Sequence, residues 1–279
     1  YALITSGGNV GIGIVAPTAP LEVYDTGGNH IKITSAAGAW RLVTNNSSGN
    51  FELTESGVAI RMVVDANSRI SLSNNDSGNT GNTIFGKSAF NTSTDNVSDY
   101  NTAIGELAMG TGTVAAAVNN VAVGYKSLED ITSGDSNVAV GYLALSSNTT
   151  ASSNVAVGTN ALKTIITGAY STGLGDAALQ LATASFNTAV GALAGSNISD
   201  GQHNTYVGAA AGDAALGADG NTGVGSYALS GVTTGENNVA VGYNALLAAT
   251  TQADNNVAIG KDAMGGSIGT EAVLDCVAI

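Results

Sequence analysis

Few side chains in this chain of 279 residues are of the types that carry out catalysis or bind metal ions. Its two histidines, His30 and His203, each stand beside an asparagine in turn-rich sequence. A zinc site needs several His or Cys ligands at fixed spacing, and the sequence supplies no such set. A Ser-His-Asp triad has no nucleophile-elbow motif to support it. We therefore interpret both histidines as exposed loop residues and predict neither a catalytic nor a metal site.

Carboxylate pairs are the next candidates for chemistry. The pair Glu129 and Asp130 is of the kind that hydrolyses glycosidic bonds, but it lies in a variable segment with few aromatic residues nearby. The acidic turns suggest Ca²⁺, yet the nonapeptide signature of calcium-binding β-rolls is missing. The segment Gly8 to Gly13 reads Gly-x-x-Gly-x-Gly, which is not the dinucleotide fingerprint, and no helical pattern follows it. We predict no cofactor and no enzyme activity.

Three tyrosines favour a binding role. Tyr125, Tyr142 and Tyr243 each follow the same five residues, Asn-Val-Ala-Val-Gly. The first two lie 17 residues apart, so their rings are expected to stack and to offer a flat platform to a sugar. We predict these three residues as speculative receptor or glycan contacts. The alternative is that the rings cover a corner of the fold or pack between protomers.

The Asn-Val-Ala-Val-Gly segment opens a nine-residue motif that occurs eleven times between Asn82 and Met264. Its first residue is Asn in ten copies and Ser171 in the other. The fifth residue is always Gly, and successive glycines lie 16 to 19 residues apart. The copies begin at residues 82, 101, 120, 137, 154, 171, 187, 204, 221, 238 and 256. A period this short and regular predicts a solenoid of stacked coils.

The nine motif positions differ in what they tolerate. Position two is Thr or Val, and position four is always large and apolar, which predicts a short strand with position four pointing into the core. Position three is small except at Ile84 and Tyr206, and we expect that face to meet another backbone closely. Position eight is Ala apart from Ser127. Position nine is mostly Leu, with gaps at Gly195 and Gly212. Positions six and seven are variable and are expected to face water.

The Gly and Asn residues that recur in the copies of the motif predict its turns. Gly at position five suits a corner that needs a positive φ angle or a close backbone approach. Asn at position one tolerates the left-handed conformation, and Asn side chains stacked once per coil are expected to form an amide ladder. Strong helix formers are scarce, and seventeen residues cannot hold a helix pair. We therefore predict an all-β fold in which residues 81–279 form a parallel β-solenoid.

A coil of seventeen residues encloses a thin core, so we predict that several chains bundle. The row of small residues at position three is the face that we expect to pack between chains. With a strand spacing of ~4.8 Å, eleven coils give a rod about 50 Å long.

The charge of the chain is acidic and uneven. The net charge is −13, with −2 in residues 1–80 and −11 in residues 81–279. An acidic rod repels nucleic acid and anionic lipid, so we predict no nucleic-acid partner. No apolar stretch approaches the length that spans a membrane, so no membrane insertion is expected. We interpret the acidic side chains as outward groups that solubilise a repetitive β surface.

Residues 1–80 differ from the repeats. Six short alternating runs separated by turn clusters predict an antiparallel β meander that holds Trp40 and all three arginines. A polar hinge from Ser73 to Gly81 leads into the repeats. At the other end, Cys276 stands where a twelfth motif has its Asn, and we expect a buried, inert thiol there. Because that motif is cut short at Ile279, we expect the polypeptide to be longer than this chain.

Two segments resemble known fibres. Gly8 to Gly13, followed by Pro17 and Leu21-Glu22-Val23, is similar to segments of bacteriophage tail fibres and tailspikes, as is the passage from Arg61 into Asn82 to Gly86. The repeated Asn-Val-Ala-Val-Gly resembles the head repeats of trimeric autotransporter adhesins, which are left-handed β-rolls in threefold bundles. The repeat here is longer, and no coiled-coil stalk or membrane anchor is present in the sequence.

The resemblance implies a homotrimeric, structural and adhesive fibre of a phage virion. It would be extracellular, would extend or present a receptor-binding tip, and would associate with other fibre or tail proteins and with host-surface glycans. The alternatives are a bacterial surface trimeric adhesin and, less favoured, a glycan-cleaving tailspike.

Overall fold

The structure is a computed structural model that describes residues 81–90, 97–247, 253–266 and 275–279 and, beyond them, the backbone of individual strands. The chain divides into two units, Tyr1–Asn75 and Asp76–Ile279. The predicted boundary lies five residues later, between residues 80 and 81.

The N-terminal unit is described only through its strands. Asn9–Ile12 (β2) pairs antiparallel with Leu3–Ser6 (β1) and parallel with Leu21–Val23 (β3), and the five strands that follow pair in chain order as antiparallel neighbours. The predicted meander of residues 1–80 as a whole stays a prediction, because its turns lie outside the described residues. The strands are β1 Leu3–Ser6, β2 Asn9–Ile12, β3 Leu21–Val23, β4 Asn29–Ser35, β5 Gly38–Thr44, β6 Phe51–Glu55, β7 Ile60–Val64 and β8 Ile70–Ser71.

The second unit is a parallel β-solenoid, as predicted. Each of the eleven motifs contributes one three-residue strand from positions two to four, and these strands, with Val277–Ala278 (β22), form one twelve-stranded sheet. The strands are β9 Thr83–Phe85, β10 Thr102–Ile104, β11 Val121–Val123, β12 Val138–Val140, β13 Val155–Val157, β14 Thr172–Leu174, β15 Thr188–Val190, β16 Thr205–Val207, β17 Thr222–Val224, β18 Val239–Val241, β19 Ala253–Asp254, β20 Val257–Ile259, β21 Val273–Leu274 and β22 Val277–Ala278. Strands β19 and β21 form a separate parallel pair.

The register of the large sheet follows the motif. Val138 of β12 pairs with Val121 on one side and with Val155 on the other, so equal motif positions meet in neighbouring coils. About ten coils with a spacing near 17 residues are stacked in this way, and no helix occurs in the part of the chain that the structure describes. The motif period therefore sets both the coil and the strand register.

The prediction for the two faces of the strand is wrong. Position three, not position four, points into the coil: Ala122, Ala139 and Ala156 are fully buried. The larger side chains at positions two and four lie on the outer face, where Val157 is 39 % exposed. The row at position three is therefore interior and cannot be the packing face between chains.

The core explains this arrangement. Apart from the Asn at position one, most fully buried side chains come from positions three, eight and nine and from the third residue after position nine, as in the coil that contains Ala122, Ser127, Leu128 and Ile131. The Leu at position nine and the Ile that follows it take most of the room within so thin a coil. Only a methyl group or a hydrogen then fits opposite them on the strand, which is why position three is small.

Asn at position one forms the predicted ladder. The amide nitrogen of Asn137 donates to the carbonyl of Ala151 (2.8 Å), and its Oδ1 accepts the backbone N–H of Asn154 (3.0 Å). The same pair of bonds recurs along the buried column, and at Ser171 the hydroxyl oxygen accepts the N–H of Asn187 (3.2 Å). The expected left-handed conformation lies one residue earlier, as at Ser136 with φ of 57°. The carboxamide is thus used to join coils rather than to make a local turn.

We expect Asn137→Ala to lower the free energy of unfolding by about 2 kcal/mol, because it leaves the buried N–H of Asn154 without its acceptor. Asn137→Ser is the matched variant, since Ser171 already fills this place with a hydroxyl acceptor. It should lose less stability than the alanine variant. Thermal unfolding followed by circular dichroism measures both, and equal losses would show that the ladder acceptor contributes nothing.

Candidate functional site

The outer face of the twelve-stranded sheet is a regular surface that repeats from coil to coil along the solenoid. We call the side chains at motif positions two and four of all eleven strands the sheet face. Position two is Thr or Val and position four is Val, Ile, Leu or Phe, so the sheet face carries no charged residue. Phe85 is 65 % exposed and Ile259 is 40 % exposed. An extended, uncharged and partly apolar surface of this kind is a candidate interaction site.

The tyrosines predicted as receptor contacts lie at position six, just after the strand. Tyr125 and Tyr142 stack as predicted, with ring centroids 5.6 Å apart and planes 12° apart. Tyr243 does not join that column and lies edge-on to Tyr227, with centroids 6.2 Å apart. All three rings of the prediction are partly exposed. Their contact with a receptor or glycan stays a prediction.

A second column of rings was not predicted from the sequence. Tyr170, Phe186 and His203 stack in three successive coils, with centroid distances of 5.3 and 5.0 Å and planes within 6°. Each is the residue immediately before a motif, which we call position zero. All three have positive φ angles, a conformation that costs an L-residue roughly 1 kcal/mol. The signal in the sequence is a ring at the same position of consecutive repeats.

The acid pair considered for hydrolysis is engaged in structural contacts. Glu129 forms an ion pair with Lys126 at 2.8 Å, and Asp130 accepts a hydrogen bond from the hydroxyl of Thr111 at 2.8 Å. The hydrogen bond to Glu129 raises the pKa of Lys126. Both carboxylates therefore tie neighbouring side chains together on the surface of the solenoid.

Other acidic residues join successive coils, which the sequence did not predict. Asp135 accepts the backbone N–H of Val118 (2.8 Å), and Asp254 accepts that of Glu236 (2.8 Å). Asp219 makes the equivalent bond to Gln202 (2.6 Å). Each lies two residues before a motif, so these carboxylates cap backbone donors of the preceding coil. They do more than solubilise the surface.

The remaining sequence candidates are dispersed. His203 is exposed, as predicted, but belongs to the ring column, and the side chain of His30 lies outside the described residues. The prediction of a buried thiol is wrong, since Cys276 is exposed, although its backbone N–H does join the ladder through Asn256 Oδ1. Within the described ranges, no cluster of three metal-ligating side chains occurs, and no helix there has the length and apolarity to cross a membrane.

Comparison with known proteins identifies no relative: no protein-family model, no curated protein and no solved structure matches this chain.

Proposed function

We propose that this chain is a structural and adhesive fibre protein whose working unit is a homotrimer. The observation that carries the proposal is the sheet face, an uncharged and partly exposed row of Thr, Val, Ile, Leu and Phe side chains that repeats over eleven motif strands. Left in water, such a surface favours association, and a second copy of the same chain offers a surface of equal length and equal period.

The distribution of charge supports bundling through this face. Residues 81–279 carry a net charge of −11, so the centre of a contact between copies is expected on a face without acidic side chains. The sheet face meets that condition, because its positions two and four hold no charge. The choice of three copies for the oligomer rests on the resemblance to phage fibres and to the threefold bundles of adhesin heads.

The oligomer is tested by adding a charge to the sheet face. Val140→Asp combined with Val157→Asp should dissociate the trimer while the single chain keeps its β spectrum, because both side chains lie on the outside of the coil. Thr150→Asp is the matched control, since it adds a charge at an exposed loop position off the sheet face. Light scattering and circular dichroism measure mass and fold.

The variant Ala139→Asp distinguishes a charge placed in the core from a charge placed on the sheet face. Its neighbour Val140 points outward, whereas Ala139 is fully buried, and an unpaired carboxylate there costs several kcal/mol. This variant should lose the fold itself. A monomeric parent protein would refute the trimer, and a mass unchanged by the two valine substitutions would refute the sheet face as the contact.

We propose that the protein is an extracellular fibre of a phage virion and that the rod extends or presents the part that binds the host receptor. This proposal rests on the resemblance to phage tail fibres. The bacterial surface adhesin is the alternative with the same rod. Antibodies against residues 81–279 distinguish the two. Labelling of tail structures on purified particles supports the virion fibre, and labelling of the bacterial surface contradicts it.

A further inference from the structure

We propose that the exposed rings at positions zero and six lie at seams between the copies of the trimer, where they fix the register of the chains. At each seam, position zero of one copy would meet position six of the next copy in the same coil. This inference rests on the proposed trimer and adds to it the residues that line the contact and the alignment that they impose.

The geometry of the sheet brings these two positions to opposite edges. Positions two to four form the strand, so position zero precedes it by two residues and position six follows it by two. Three parallel copies related by a threefold axis, with their sheet faces towards that axis, place the leading edge of one sheet beside the trailing edge of the next. Rotation without translation keeps equal coils at equal height.

The rings at the two edges exclude each other within a coil. Of the four rings at position zero, Phe186 and His203 share their coils with Ala at position six, and Tyr170 and Tyr100 share theirs with an acidic residue. The rings at position six share their coils with Asn or Ser at position zero. Among the eleven motifs, all described at both positions, no coil carries rings at both edges. The pairs, position zero first, are Tyr100 with Glu106, Tyr170 with Asp176, Phe186 with Ala192, His203 with Ala209, Asn119 with Tyr125, Ser136 with Tyr142 and Asn237 with Tyr243.

The exposure and backbone of the rings agree with a contact of this kind. Tyr170 is 62 % and Phe186 is 47 % exposed within the single chain, so stacking leaves much of each ring open to water. Phe186 also has a φ of 63°, at a position where seven of the other ten copies have Gly, Asn or Ser and three have a ring. A large ring at a conformationally costly position gains stability if the ring is buried against a neighbouring copy. The small Ala192 of the next copy, itself exposed, leaves room for it.

Cysteine cross-linking tests the seam directly. In a Cys276→Ser background, the double variant Phe186→Cys with Ala192→Cys should form covalent trimers with a short bis-maleimide reagent, seen on a denaturing gel. Each single variant should give none, because the two edges differ. The pair Phe186→Cys with Tyr142→Cys should also give none, because these residues are three coils, about 14 Å, apart along the axis.

A size exchange tests the register. Ala192→Phe places rings on both sides of one seam and should lower the temperature at which the trimer dissociates. Adding Phe186→Ala should recover most of the lost dissociation temperature, although it also removes the ring between Tyr170 and His203. A trimer that cross-links through the three-coil pair, or a dissociation temperature indifferent to both changes, would overturn the seam. A monomer would instead overturn the proposed trimer.

The same variants separate the seam from a receptor platform. Replacing Tyr142 with Ser should weaken the trimer if the ring lies at the seam. Loss of host-cell binding by an unchanged trimer would contradict the seam and support the receptor contact.

Discussion

Gly141→Ala is expected to lower the free energy of unfolding by about 4 kcal/mol. Gly141 has a φ of 138°, a conformation that is essentially confined to glycine and costs another residue about 1–3 kcal/mol. A Cβ atom at this position would also lie 2.5 Å from the carbonyl oxygen of Gly158 in the next coil. Overpacking of this kind adds a similar cost.

The chain cannot relax around the added methyl group. The N–H of Gly141 donates to the carbonyl of Val123 at 2.8 Å, so the backbone is held from the coil below while Gly158 closes the space above. The same glycine column runs through all eleven motifs, which is the close approach predicted from position five. One substitution therefore disturbs two coil contacts at once.

Gly217→Ala is the matched control. Its φ lies outside the left-handed range, and the added Cβ would meet only the flexible carboxylate of Asp200, at 3.2 Å. We expect a change within about 0.5 kcal/mol. Thermal unfolding followed by circular dichroism compares the two variants, and a melting temperature for Gly141→Ala equal to that of Gly217→Ala would contradict the steric role of the column.

The sequence predicted the coil but not its orientation. The spacing of the glycines and the Asn at position one indicated both the solenoid and the amide ladder. The predicted orientation of the strand is wrong, because a large apolar side chain such as Val140 usually lies in the core and a small one such as Ala139 does not distinguish the two faces. In a coil of seventeen residues, the Leu at position nine limits the room opposite it, so the small residue lies inside. The large residue becomes available for contact between chains.

The candidate contact surfaces were predicted only in part. Tyr125 and Tyr142 repeat at one motif position, and their stacking followed from that period. Phe186 and His203 also stand at one position, but the ring types differ, and the sequence around His203 indicates only an isolated exposed loop residue. Stacking depends on the flat shape of the rings rather than on residue type, so the recurrence of identical residues does not reveal the stack of Tyr170, Phe186 and His203. The coil-joining role of Asp135 was missed because it depends on a backbone donor in the neighbouring coil.

Tyr206 is the exception at position three, and it shows how this core compensates for a large residue. Its ring is 1 % exposed, and burial raises the pKa of its hydroxyl, which lies 3.4 Å from Asn204 Oδ1. The ring fills the space that position nine leaves empty in its own coil and in the coil before it. A Cβ atom on Gly212 would lie 2.5 Å from Cδ1 of the ring, and one on Gly195 would lie 3.3 Å from Cδ2.

We expect Tyr206→Ala to lower the free energy of unfolding by about 3–5 kcal/mol, because it opens a cavity in a buried core. Gly212→Leu alone should also destabilise, since the new side chain collides with the ring. The double variant Tyr206→Ala with Gly212→Leu restores the combination of Ala139 and Leu145, and the φ of Gly212, 60°, is close to the 52° of Leu145. The double variant should therefore regain most of the free energy of unfolding that each single variant loses. A double-mutant cycle from thermal unfolding measures the coupling, and additive losses would show that Tyr206 and the gap at Gly212 do not compensate for each other.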